Sequence, residues 1–456
     1  MALKRRFVLV CCCLPCLALA LFIYVTLAVC LSMSPAYNSH LVPVSRSLLL
    51  PDHFVAPGAA TNASCAARPL GTFWKERVDE GGLWNWLQHL QDRLHNPILR
   101  PQLGQRRVRF PVKQQDCAWD AVTAARLLPD FADLPDQMRA FTLSMACRDF
   151  PLILDQPQLC DGGLQDQAEA PFLLLAIKSH QMNFERRHVI RRTWGQDGVV
   201  KGQRGQRGGL VRRVFLVAAD DEMENGIRNR LLELEGATYG DILLWDFRDT
   251  LFNLTLKNVL FWKWFSERCH RAHFVFSADD DVFVRTPALI DHLQEEEERR
   301  PGKMSDFIMG NVIRFAAPVR WISEFFVPES FYKGLYPVYL AGGGTVYSGT
   351  LALRLGRVSQ RVHLYPIDCV YLGMCLERLG VVPRHSPAFL TFDFHESEEQ
   401  STCAYRTILL VHRRTPVQVL QLWDQVQVQA PPLDCINASI RVELLNDPEP
   451  TQTGDL

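Results

Sequence analysis

Three adjacent aspartates, Asp279, Asp280 and Asp281, stand in the stretch FVFSADDDVFV between two apolar runs. A buried carboxylate without a partner is costly, so this placement demands a cation, an arginine, or water at a surface loop. Hard carboxylate oxygens suit Mg²⁺ or Mn²⁺; a solvated acidic loop is the plain alternative. Asp368, in YPIDCVYLGM, reads by itself as a cap for the helix after it. The basic stretch FERRHVIRRTWG sets Arg187 and Arg191 four residues apart and Trp194 three further on, all near one helical face. Such arginines pair bidentately with phosphate or with carboxylate, so they either meet a ligand or hold the acidic loop in place. The run Ala341 to Gly344, AGGG, lets backbone approach a ligand closely, or makes an ordinary turn. His412, flanked by apolar residues in ILLVH, reads by itself as a core histidine.

From residue 171 the chain alternates short apolar runs with helical patterns. PFLLLAI, VRRVFLVA, DILLW and HFVFS read as buried strands, and FERRHVIRRTWG, EMENGIRNRLLELEG and LTLKNVLFWKWFSERC as the helices between them. This alternation predicts an α/β fold, a mostly parallel sheet with helices on both faces. The aspartates then lie at the carboxyl end of a parallel strand, the edge where open α/β sheets bind ligands.

The chain has 456 residues and a formal net charge of −1, which offers no basic surface for nucleic acid. Lys4, Arg5 and Arg6 precede an apolar run from Phe7 to Met33, long enough to span a bilayer core of about 30 Å. The basic flank predicts a cytoplasmic tail at 1–6, a signal-anchor at 7–33 and a luminal remainder, with a cleaved signal peptide as the alternative. Residues 34–105 read as a stem, 106–165 as a helical part, 166–430 as the alternating α/β domain and 431–456 as a tail. Sequons at Asn62, Asn253 and Asn437 agree with a luminal address. Nine cysteines lie beyond the apolar run (Cys65, Cys117, Cys147, Cys160, Cys269, Cys369, Cys375, Cys403 and Cys435); most should pair, the odd number leaves one over, and Cys147 with Cys160 is the expected local loop.

Taken in order, FLLLAIKS, RRHVIRRTWG, VFLVA, DILLWDFRDTLFNLTLKN, FVFSADDDVFV, YPVYLAGGGTVYSG, LYPIDCVYLGMCLERLG and ILLVH resemble the β-1,3-glycosyltransferase family. The chain looks most like its poly-N-acetyllactosamine β-1,3-N-acetylglucosaminyltransferases, over roughly residues 70 to 430. The resemblance implies a GT-A (Rossmann-like) fold in a single-pass type II protein of the Golgi membrane. It implies inverting transfer of N-acetylglucosamine from UDP-GlcNAc, in β-1,3 linkage, to the terminal galactose of an N-acetyllactosamine-type glycan. Association with other Golgi glycosyltransferases is a further expectation.

Residue by residue, the resemblance makes Asp281 and His412 the ligands of Mn²⁺ and Asp368 the base. It places Lys178, Arg187, Arg191, Trp194, Asp279, Asp280, Gly342, Gly343 and Gly344 on the donor side. Three positions depart from the family pattern: Cys369 replaces a second acid, Thr345 a fourth glycine, and Ser277–Ala278 a Lys-Gly pair. Cys369 is free to be bonded in a disulfide beside the base. Two alternatives stand beside the principal reading: a β-1,3-galactosyltransferase using UDP-Gal, and a non-catalytic Golgi paralogue that supports another transferase.

Overall fold

The run Leu173–Lys178 is apolar at every position but its last, and it forms the centre of the fold. The computed structural model describes residues 81–95, 117–160, 170–203, 207–219, 225–394, 403–427 and 440. All fall in the compact unit 47–456; the apolar run Phe7 to Met33, and Asn62 and Asn437, lie outside the described residues. Among the described residues no helix is long and apolar enough to cross a membrane.

Helices α1 (Leu83–His95), α2 (Ala121–Leu127) and α3 (Asp136–Ser144) come first, followed by β1 (Leu152–Leu154) and β2 (Leu173–Lys178). Next are α4 (Phe184–Arg192), β3 (Gly198–Lys201), β4 (Gly208–Ala218), α5 (Asn225–Tyr239), β5 (Ile242–Trp245), α6 (Leu254–Arg268) and β6 (Phe274–Asp279). Then come β7 (Phe283–Val284), α7 (Thr286–Arg299), β8 (Ile308–Gly310), β9 (Val312–Ile313), β10 (Tyr339–Leu340), β11 (Gly344–Ser348) and α8 (Gly349–Ser359). The last elements are α9 (Asp368–Leu379), β12 (Arg384–His385), β13 (Phe389–Leu390), β14 (Leu410–Val411) and α10 (Pro416–Gln427).

The main sheet runs β1-β5-β4-β2-β6-β11-β8-β12, with β3 attached to β4. Its centre, β5-β4-β2-β6, is parallel, as the alternation of strands and helices requires. The expectation of a mostly parallel sheet needs correcting for the rest. β1 and β3 pair antiparallel at one side, and β11 lies antiparallel between β6 and β8. The cause is in the connections: β11 is reached from β6 through the long excursion that carries β8, β9 and β10, not through a single crossover helix. A small sheet β13-β14-β7 sits beyond the aspartates.

Both faces are covered, as a continuously apolar central strand demands. Leu174 and Ala176 of β2 pack with α6, α8 and α9; Leu173, Leu175 and Ile177 pack with α4, α7 and α10.

Two further expectations change. Helix α1 lies in the stretch read as stem, yet it docks on the catalytic unit. Its Trp84 indole N–H donates to the carbonyls of His363 and Leu364, each at 3.1 Å, and buried Asp92 pairs with Arg378 of α9 at 3.1 Å. Cys147 bonds Cys117, and Cys160 bonds Cys269. The local loop does not form because β1, between Cys147 and Cys160, pairs with β5 and carries Cys160 to the end of α6. Cys403 is also disulfide-bonded, whereas Cys369 and Cys375 are free thiols.

Candidate active site

Strand register brings the chemistry together. Lys178, last residue of β2, stands opposite Asp279, last residue of β6. Its ammonium lies 3.1 Å from Asp279 Oδ1 and donates to Asp368 Oδ2 at 2.6 Å. One lysine therefore bridges the acidic triad and the candidate base. Asp368 is the first residue of α9, where a carboxylate is favoured by the helix dipole. The helix is closed at its other end by Gly380, whose φ of 66° suits a left-handed cap. Asn258 of α6 also donates weakly to Asp368 Oδ2 at 3.4 Å, so Oδ1 is left to accept a proton.

The three aspartates face three ways. Asp279 accepts the Gly343 N–H at 3.1 Å. Burial works against its charge, but Lys178 and His412 outweigh that and hold the carboxyl below its ordinary range. Asp280 accepts from Ser179 Oγ at 2.7 Å and Asn183 Nδ2 at 2.8 Å, with Arg186 Nε 3.9 Å away. Burial pushes its carboxyl up despite those partners. Asp281 turns toward His412, with Oδ1 3.1 Å from Nε2.

Asp279, Asp281 and His412 each offer a ligand atom, and these atoms lie within 4.8 Å of one another. Asp281 Oδ1 is buried and is assigned no hydrogen-bond donor among the described residues, with His412 Nε2 its near neighbour at 3.1 Å. Burial disfavours a charged His412 ring, but the carboxylates of Asp281 and Asp279 outweigh it and raise its pKa above 6.5. A buried carboxylate oxygen without a donor, beside a second carboxylate and an imidazole, fits a divalent cation such as Mn²⁺. The family resemblance implies this role for Asp281 and His412 alone. Asp279 is the added member, visible only once β6 and β14 are set side by side.

The basic helix behaves differently from its assigned role. Arg187 is fully buried, and all five of its N–H donors are used: by Glu235, Ser179 Oγ and the carbonyls of His180 and Gln181. Arg191 pairs with Glu235 at 2.6 Å and Asp241 at 2.7 Å. Trp194 is 1% exposed and meets Phe276 edge-on at 6.4 Å. Arg187 and Arg191 lie on the core face of α4, and Trp194, two residues past its end, is buried in the same core. Arg187 holds the acidic loop from behind, donating to the same Ser179 hydroxyl that donates to Asp280. Breaking such a buried pair costs about 3–5 kcal/mol, mostly from the stranded partner charge. The arginine that reaches the triad is Arg186, one position along, which the sequence did not single out.

The glycine run is needed at its centre. Gly343 has φ +93°, and a Cβ there would lie 3.0 Å from His412 Cγ. Gly342 faces open space, and a Cβ on Gly344 would meet Leu410 at 2.5 Å. Thr345 is buried in β11 opposite Ser277, away from the open side of the run.

A family profile described as galactosyltransferase matches residues 185–387. N-acetyllactosaminide beta-1,3-N-acetylglucosaminyltransferase 2 of Mus musculus is 40% identical over 372 residues, 80% of this chain and 89% of its own. The Homo sapiens protein of the same name is 39% identical over 364 residues, 79% and 88%. N-acetyllactosaminide beta-1,3-N-acetylglucosaminyltransferase 3 of Homo sapiens is 39% identical over 336 residues, 72% and 85%. The chain belongs to the galactosyltransferase family.

The galactosyltransferase profile spans the triad, the glycine run and Asp368, while Lys178 and His412 flank it on either side. Within this glycosyltransferase site Cys369 stays a neutral thiol: burial, then the adjacent Asp368 charge, push its pKa up. Asp368 therefore has no second negative charge at its side, and Lys178 need not be shared with one.

Gly343→Ala is expected to weaken Mn²⁺ binding about tenfold or more, as displacing a ligand's support does, while the fold persists. Titration followed by electron paramagnetic resonance reads the affinity, and an unchanged affinity would show that the His412 ring is not confined by this glycine.

Proposed function

We propose that this chain transfers N-acetylglucosamine from UDP-GlcNAc, in β-1,3 linkage, to the terminal galactose of N-acetyllactosamine-type glycans. The observation that carries the reading is the convergence of Asp279, Asp281 and His412 within 4.8 Å, with Asp368 joined to the same cluster through Lys178. The names of relatives 39–40% identical across most of both chains support the donor and the linkage. The galactose 3-hydroxyl oxygen attacks the anomeric carbon from the face opposite UDP. That C–O bond forms as the bond to the diphosphate breaks, UDP leaves with the electron pair, and Asp368 Oδ1 takes the hydroxyl proton. Mn²⁺ held by Asp279, Asp281 and His412 would neutralise the charge gathering on the departing diphosphate. Lys178 orients Asp368 while its ammonium balances Asp279.

The apolar run Phe7 to Met33, behind three basic residues, supports anchoring as a type II protein with this unit in the Golgi lumen. The deciding experiment offers UDP-GlcNAc and, separately, UDP-Gal to an N-acetyllactosamine-ended acceptor, with Mn²⁺ and with chelator. Mn²⁺-dependent transfer of N-acetylglucosamine is the expected result. Transfer from UDP-Gal alone would replace the donor, and no transfer from either would remove the reading.

A further inference from the structure

We propose that Arg413 binds the donor's diphosphate, placing a guanidinium against the phosphate oxygens that bridge to the Asp279–Asp281–His412 cluster. This rests on the UDP-sugar reading above and adds a residue to that site. Three basic side chains near the triad are engaged, and a fourth, Arg413, follows His412 directly in the chain. Lys178 holds Asp279 and Asp368, Arg186 donates to the Arg414 carbonyl at 3.3 Å, and Arg414 is clamped to Asp393. Arg413 is exposed, and its guanidinium makes no hydrogen bond or ion pair among the described residues. A free cation beside a site suited to a divalent cation is repelled by whatever positive charge binds there, unless an anion lies between them. A diphosphate supplies such an anion, with oxygens enough for both.

The backbone points the same way. Arg413 has φ +58°, one of two non-glycine residues with positive φ among the described residues. The conformation lets His412 N–H reach the Leu390 carbonyl at 3.0 Å and Arg414 N–H reach the Asp281 carbonyl at 2.7 Å. Glycine would make this turn with less strain. What arginine adds at the position is its side chain, set beside His412 by a turn tied to Asp281 itself.

The test uses full-length protein with Mn²⁺ and compares Arg413→Gly, Arg413→Lys and the parent for binding of UDP and of uridine by calorimetry. Arg413→Gly keeps the turn and removes only the cation. It should bind UDP roughly ten- to hundredfold more weakly, the worth of hydrogen bonds to a charged group, with uridine affinity unchanged and the thermal midpoint equal or higher. Arg413→Lys should fall between. UDP affinity undiminished in Arg413→Gly would overturn the assignment, and so would equal losses for UDP and uridine, which would indicate a general collapse. UDP carries no sugar, so these outcomes are independent of which donor is transferred. Failure of the parent to bind UDP with Mn²⁺ would remove the assignment together with the UDP-sugar reading.

Discussion

Asp368→Asn should lower transfer by about 10²- to 10⁴-fold, the range of a lost general base, while Mn²⁺-dependent UDP binding stays unchanged. The substitution preserves size and leaves an amide oxygen that can still accept from Lys178, so the N-terminal turn of α9 has no reason to move. What disappears is the carboxylate proposed to take the acceptor's proton. Lys178 keeps Asp279 at 3.1 Å, so the metal side of the site retains its counter-charge. Single-turnover transfer beside calorimetric UDP binding separates the two halves. Full turnover in the variant would show that another group removes the proton. Loss of UDP binding together with turnover would show that Asp368 acts through Lys178 on the donor side instead.

Local pattern made much of this legible before the structure. The Leu-rich run ending at Lys178 and the apolar run ending at Asp279 announced two buried strands, and their parallel pairing put both charged ends at one edge. The reversal of β11 was not legible, because it depends on where a long excursion returns and not on any period. Arg187, Arg191 and Trp194 show the limit from the other side. Positions 187, 190 and 191 form one stripe of α4, which ends at Arg192, and Ile190 between the arginines already marks it as the core face. The charges at 187 and 191 suit a ligand or the acidic loop alike, and buried arginines need only buried carboxylates, which Glu235 and Asp241 supply from about fifty residues away. Distant partners of this kind carry no local sequence signal. Neither does the orphaned oxygen of Asp281, which exists only because β14 brings His412 beside it.

That oxygen sets the last expectation. Asp281→Ala should reduce Mn²⁺-dependent transfer about 10³-fold or more, the several kcal/mol a cation contributes to a departing anion, and should make the residual rate insensitive to chelator. The same substitution should change how pH acts on metal binding. In the parent, burial works against the charged His412 ring, but Asp281 and Asp279 hold its pKa above 6.5. A protonated imidazole has no lone pair for a metal, so Mn²⁺ affinity should fall as pH drops through that raised value, earlier than an ordinary histidine would dictate. Without Asp281 the ring loses its strongest counter-charge, its pKa drops, and the onset of acid loss should move to lower pH even as overall affinity collapses. Mn²⁺ titrations between about pH 5.5 and 8, the window in which histidine changes charge, read both effects. If the parent's affinity were flat across that window, His412 would not be a ligand, and the cation would rest on Asp279 and Asp281 alone.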